Sequence, residues 1–345
     1  MGLTLSAQKT ASPFSFSYDG KTLHGLIESP GQTTPKAMVL IIPGYGRTNF
    51  VEGGMGGTLR DSLVAAGLAV CFWDKQGCGK SEGKFDAQQP VEDSAKEALA
   101  AIKALEQMEA PGVKTLGLWG LSRAGWICPL LNELYPVDFW ISVSGTNDKE
   151  NYGYLLRSNL LIAGMPEEKA EKLYQAWLLG HKIYSTGGTY EDYVAATAPI
   201  GADSLCQELF GNKPVVEITE DDLRSYAKNQ QNYTSKGRFD EASGLWSYIE
   251  NFDELLKAFN CPVLAIFGAN DSQVDWRLTK SLYEETIGTN PKAKLTSQVF
   301  DQCNHIIRKC ETCAYREDLS HLDWAPCPGY YALMKSWLKT NSFVD

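Results

Sequence analysis

Short apolar runs alternate along this chain with longer stretches in which apolar residues recur at helical spacing. Positions 37–42 and 68–73 are nearly all apolar, the first lying between prolines and the second starting after Gly67. Runs this short read as strands buried on both faces. Positions 115–119, 138–144, 262–267 and 294–300 continue the strand series. Helical stretches lie between them, at 58–66, 90–110, 123–134, 277–287 and 330–339. Gly67 suits a left-handed cap for the first. In the second, Glu92 and Asp93 suit the first turn after Pro90, and Ala95, Leu99, Ile102, Leu105 and Met108 form the apolar stripe. The chain opens differently. Phe14, Phe16 and Tyr18 alternate with polar residues, and Asp19-Gly20 then breaks the run, which is a hairpin signal. From 147 to 259 there are helical segments but no clear strand; 166–180 is one, with Leu173, Trp177 and Leu178 on a face.

Strands alternating with helices predict an α/β fold. The expected architecture is a mainly parallel eight-stranded sheet, begun by two antiparallel strands, with helices on both faces. Residues 1–146 and 260–345 would form this core, and 147–259 a helical insertion after the sixth strand. No internal repeat or low-complexity tract is visible.

Composition adds limits. Of 345 residues, 43% are hydrophobic and 21% charged, enough for a packed core and unlike a disordered chain. The formal net charge of -10 repels phosphate backbones, so nucleic acid is not an expected partner. No run of 18 apolar residues predicts a membrane span. Met1 to Thr10 carries no basic region followed by an apolar one, so no secretory signal is expected. Gly2 and Ser6 match the myristoylation pattern only loosely. Nine cysteines, an odd number, point to mostly reduced thiols and a cytoplasmic setting.

The candidate chemistry starts at 120–125, Gly-Leu-Ser-Arg-Ala-Gly, between a strand and a helix. A serine on a sharp strand-to-helix turn needs small neighbours, and Gly120, Ala124 and Gly125 meet that need around Ser122. The turn lifts the hydroxyl off the sheet, and the helix N-terminus offers partial positive charge to a developing oxyanion. The alternative role for Ser122 is a helix cap. The literal G-x-S-x-G lies elsewhere, at 79–83 around Ser81. No helix follows Ser81, so it is read as shaping a loop after a strand.

Several pieces share a pattern: 19–25 (Asp-Gly-Lys-Thr-Leu-His-Gly), 43–46 (Pro-Gly-Tyr-Gly), 74–81 (Asp-Lys-Gln-Gly-Cys-Gly-Lys-Ser), the turn at Ser122, 268–274, and Asn304-His305. On these the chain resembles the α/β-hydrolase superfamily, over nearly all of its length outside the insertion. Within it, the chain resembles serine esterases and aminopeptidase-like hydrolases with a helical cap. Many relatives carry His-Gly in place of Pro43-Gly44, and Arg in place of Gln76. The resemblance implies that 147–259 is a lid over the pocket and that no cofactor is needed.

In that superfamily the chain order is serine, acid, histidine. Of four histidines, His24 lies in the opening hairpin and His181 in the insertion. His305 lies five residues past Phe300, the end of the last expected strand, and is the expected base; His321 is the reserve. Asp271 follows the preceding strand and is the expected acid, holding the imidazole tautomer. Asp275 and Asp301 are alternatives, or surface and helix-capping charges. The backbone N–H groups of Tyr45 and Arg123 are the expected oxyanion donors, since the glycines beside Tyr45 allow close approach. The glycines at 53, 54, 56 and 57 lack the Lys-Ser/Thr ending of a phosphate loop and read as a lead into a helix.

Aromatics of the insertion, Tyr152, Tyr154, Trp177, Tyr184, Tyr226, Trp246 and Tyr248, either line an acyl pocket or pack the lid. Cys303, Cys310, Cys313 and Cys327 surround His305. Cys310-x-x-Cys313 invites a zinc reading, but no second close pair completes it; a disulfide is the other alternative, and free thiols with no metal are the default expectation. The expected function is hydrolysis of a small-molecule carboxylic ester through an acyl-enzyme. The alternatives are a peptidase or amidase, a thioesterase or acyltransferase, or a non-catalytic binding protein on the same fold. Oligomeric state is not legible.

Overall fold

The structure, a computed structural model, describes residues 9–149, 153–234, 249–315, 317, 320 and 325–345. Gly2, Ser6, Tyr152, Trp246, Tyr248 and His321 lie outside the described residues. Strands β1 (Lys9–Tyr18) and β2 (Lys21–Pro30) form the opening hairpin. Both turn residues have positive φ, 50° at Asp19 and 66° at Gly20, the conformation that makes Asp-Gly the preferred pair for a tight hairpin. Phe14 and Phe16 face inward and their neighbours face water.

Six further strands follow: β3 (Met38–Ile42), β4 (Ala69–Trp73), β5 (Leu116–Leu121), β6 (Phe139–Val143), β7 (Pro262–Gly268) and β8 (Lys294–Phe300). The sheet is open, with order β1-β2-β4-β3-β5-β6-β7-β8. The β1–β2 and β2–β4 pairs are antiparallel and all later pairs parallel. Strands β3, β4 and β6 are buried along their whole length because helices cover both faces. On one side lie α2 (Val91–Gln107), α3 (Ala124–Leu134) and α10 (Trp276–Glu285). On the other lie α1 (Gly57–Ala65) and α11 (Tyr330–Thr340). The stripe of α2 runs through Ala95, Ala98, Ile102 and Leu105; Met108 falls beyond the helix end and is exposed.

Between β6 and β7 the chain forms α4 (Gly153–Ile162), α5 (Glu167–Ser185), α6 (Tyr190–Ala202), α7 (Ser204–Phe210) and α8 (Glu220–Thr234). Leu156, Leu160, Met165, Ala170, Leu173, Ile200 and Cys206 give these helices a small core of their own. Helix α9 (Phe252–Lys257) differs. Its Phe252, Leu255 and Leu256 pack into the main core with α3, although it falls within 147–259.

The free-thiol expectation is corrected. Cys303 pairs with Cys327, and Cys310 with Cys313. The loop after β8 folds back so that Cys327 N–H donates to the Ile307 carbonyl (2.8 Å), which brings two cysteines 24 positions apart together. Positive φ at Cys313 (62°) closes the tighter 310–313 turn. With these disulfides, cysteine usage no longer argues for a reducing compartment. Among the described residues, no helix is long and apolar enough to cross a membrane.

Candidate active site

Ser122 follows β5 directly and has φ 56°, a left-handed conformation that costs a non-glycine residue about 1–2 kcal/mol. The surroundings hold it there. Ser122 N–H donates to the Val143 carbonyl (3.0 Å), and its own carbonyl accepts from Gly125 N–H (2.7 Å). A Cβ on Gly120 would stand 2.7 Å from that of Ala124, and one on Gly125 2.6 Å from Thr146 N. Larger residues at these positions would force the turn open. Helix α3 then starts at Ala124, with its N-terminus toward the serine.

The elbow packs against the 43–46 loop. A Cβ on Gly44 would meet the Leu121 carbonyl at 3.0 Å, so glycine is what lets this loop approach. Tyr45 is 68% exposed, whereas Arg123 is buried. Both line a cavity of about 560 Å³ together with Ser122. Ser81, by contrast, is buried and engaged: its hydroxyl donates to the Asp74 carbonyl (2.6 Å) and accepts from His24 N–H (2.9 Å).

Parallel strands β5, β7 and β8 deliver Ser122, Asp271 and His305 to loops at the same end of the sheet. Asp271 and His305 meet there, Nδ1 and Oδ2 being 2.7 Å apart, both side chains buried. The other oxygen of Asp271 accepts from the N–H groups of Gln273 (2.8 Å) and Val274 (3.1 Å). A carboxylate only accepts, so His305 donates from Nδ1, which leaves Nε2 as its acceptor nitrogen. His305 sits on a tight turn in which Asn304 Oδ1 accepts from Ile306 and Arg308 N–H (both 3.1 Å). Asp275 caps α10 by accepting from Arg277 N–H (3.1 Å), and Asp301 is exposed.

Helix α4 ties the insertion to the acid loop. Tyr154 donates to the Asp271 carbonyl (3.2 Å) and Ser158 to the Ser272 carbonyl (2.7 Å). Helices α5 and α6 supply Trp177, His181, Tyr184, Tyr193 and Thr197 to the cavity wall, opposite Gln273, Val274 and Tyr315. His181, Tyr193 and Tyr315 had no marked sequence signal. Trp177 and His181 are one turn apart on α5, and their rings stack at 4.7 Å; that i, i+4 spacing was the available clue. Tyr226 packs on Tyr184, Tyr190 and Tyr193, away from the wall.

Burial holds the His181 imidazole down at about 3, against an ordinary 6.5. Below pH 6.5 the unfolded chain therefore takes up a proton that the folded chain refuses. Stability is expected to fall on acidification with a limiting slope of about 1.4 kcal/mol per pH unit from this residue. His181→Gln should flatten the melting temperature profile between pH 6.5 and about 4. Parallel wild-type and variant profiles would contradict this.

The family model described as serine aminopeptidase, S33, matches residues 33–308. No curated protein matches the chain. Among solved structures, the Pyrococcus furiosus esterase Pf2001 is similar at 16% identity and TM-score 0.51, covering 97% of this chain and 91% of its own. VinJ is similar at 15% identity and TM-score 0.53, covering 96% and 99%. Est1E from Butyrivibrio proteoclasticus, described with ferulic acid bound, is similar at 13% identity and TM-score 0.50, covering 95% and 99%. At these identities the likeness speaks for the fold.

Proposed function

The chain belongs to the serine aminopeptidase S33 family of α/β-hydrolases, and from that premise we propose that it is a serine hydrolase cleaving neutral carboxylic esters with Ser122, His305 and Asp271. Ser122 Oγ attacks the ester carbonyl carbon as its proton passes to His305 Nε2. That proton leaves with the alcohol, and the acyl group stays on Ser122. Water then attacks the acyl carbon, gives its proton to His305 and releases the acid, while the proton returns to Ser122. Asp271 holds the imidazole with Nε2 toward the reaction and stabilises the imidazolium. The Tyr45 and Arg123 N–H groups receive the oxyanion. The observation that carries this reading is the 2.7 Å bond between His305 and Asp271, with Ser122 on an elbow at a cavity wall. Helices α4 to α8 of the 147–259 insertion act as a lid in this reading.

The family's name favours a second reading, removal of an N-terminal amino acid. An aminopeptidase must hold an ammonium group, and among the described residues the cavity wall carries no Asp or Glu. His181 is kept neutral by burial, Trp177, Tyr184 and Tyr193 add aromatic rings, and among the described residues the other basic side chain on the wall, Arg123, is itself a cation. An unpaired charge buried there costs about 3 kcal/mol or more. Nitrophenyl esters of neutral acids are therefore expected to show kcat/KM at least ~10²-fold above aminoacyl nitroanilides. Faster cleavage of the anilides would replace the ester reading with the peptidase one.

A further inference from the structure

Lys75 takes no part in the steps above, yet it is buried behind the loop that carries Tyr45. Its Nζ donates to the carbonyl of Gly44 and to that of Gly46 (2.9 Å), the residues on either side of Tyr45. Its backbone N–H donates to Thr48 Oγ1 (2.8 Å). The preceding residue, Asp74, accepts from Phe50 N–H (2.7 Å). Two consecutive residues at the end of β4 thus fasten the 44–50 segment from beneath. The other proposed oxyanion donor belongs to a residue whose side chain is also anchored. The Arg123 guanidinium donates to the Gln89 carbonyl and to Ser94 Oγ (3.3 Å). Gln89 also donates to Glu97 (3.2 Å), which accepts from the Trp73 indole (2.7 Å).

We propose that Lys75 is the positioning residue of the oxyanion hole, its ammonium gripping both carbonyls around Tyr45 so that the intervening N–H points at the reacting oxygen. The inference rests on the serine hydrolase reading. An ammonium makes charge-assisted bonds to carbonyls, which a neutral amine makes only weakly. Burial, and then the nearby Arg123 cation, lower the Lys75 ammonium to about 8, opposed by Glu97. The groups facing it are Arg123 at the start of α3, Glu97 on α2, and Cys78 on its own loop. Arg47 shares the Phe85 ring with it, and Lys84, Asp86 and Asp93 lie in the adjoining groove. As pH rises through the Lys75 value the grip loosens, so kcat falls.

The test is nitrophenyl ester kinetics from about pH 6 to 10 on wild type, Lys75→Met and Lys75→Arg, with melting curves and fluorophosphonate labelling of the same samples. Lys75→Met is expected to lose about 10²-fold in kcat, the scale of one oxyanion donor, with KM within about threefold. Lys75→Arg keeps a charge that does not titrate, so it should restore most of kcat and move the alkaline limb to higher pH. A folded Lys75→Met within threefold of wild-type kcat, or a Lys75→Arg with an unmoved limb, would overturn the proposal. Should one variant fail to fold, the other decides alone. Failure of wild type to label at Ser122 would instead sink the serine hydrolase reading, whereas labelling with no effect of Lys75 sinks only this inference.

Discussion

Replacing Ser122 by alanine is expected to lower kcat for a nitrophenyl ester by about 10⁵-fold while the protein stays folded. The magnitude follows from losing the only atom that forms the acyl-enzyme; what remains is the contribution of the oxyanion donors and of substrate binding. The fold should be indifferent. The bonds that hold residue 122 in its left-handed conformation run through its backbone N–H and carbonyl, and alanine pays no larger penalty than serine there. Steady-state kinetics and a melting curve on one preparation check both halves. A kcat within tenfold of wild type would remove Ser122 from the mechanism.

The second large effect is expected at Asp271. Asparagine has the same shape and can still accept from Gln273 and Val274 N–H through one oxygen. The other position becomes an amide that donates to His305 Nδ1, which moves the imidazole proton to Nε2. That nitrogen can then no longer accept from Ser122. A loss of about 10⁴-fold in kcat is expected, with KM and melting temperature little changed. Asp275→Asn is the matched control, because Asp275 only caps α10. Its expected cost is at most about 1 kcal/mol of stability, with activity intact. Equal losses from the two substitutions would show that the effect is structural rather than catalytic.

Much of the architecture was legible because strand and helix leave different periods in a sequence. β8 occupies the predicted 294–300, and the Asp19-Gly20 turn has the positive φ pair that its composition requires. The elbow was legible for a steric reason: at Gly120 and Gly125 the backbone packs too closely for a Cβ. The family match over 33–308 agrees with the superfamily resemblance.

What escaped the sequence depends on contacts between distant segments. The Cys303–Cys327 bond needs a loop to fold back on itself, and spacing alone does not select that partner. Tyr193 and His181 face the cavity only because α5 and α6 pack side by side over it. Lys75 reads as an ordinary loop lysine until the carbonyls of Gly44 and Gly46 are seen against its ammonium. Helix α9 falls within 147–259, the span expected as the insertion, because no strand pattern separates it from that span in the sequence, but Phe252 and Leu256 belong to the main core.

The most direct test of the proposed chemistry is intact mass after incubation with a fluorophosphonate, which reacts with a serine only when a base activates it. Wild type is expected to gain a single adduct and Ser122→Ala none. An adduct that persists in Ser122→Ala would move the nucleophile elsewhere, and a wild type that stays unmodified would contradict the serine hydrolase reading itself.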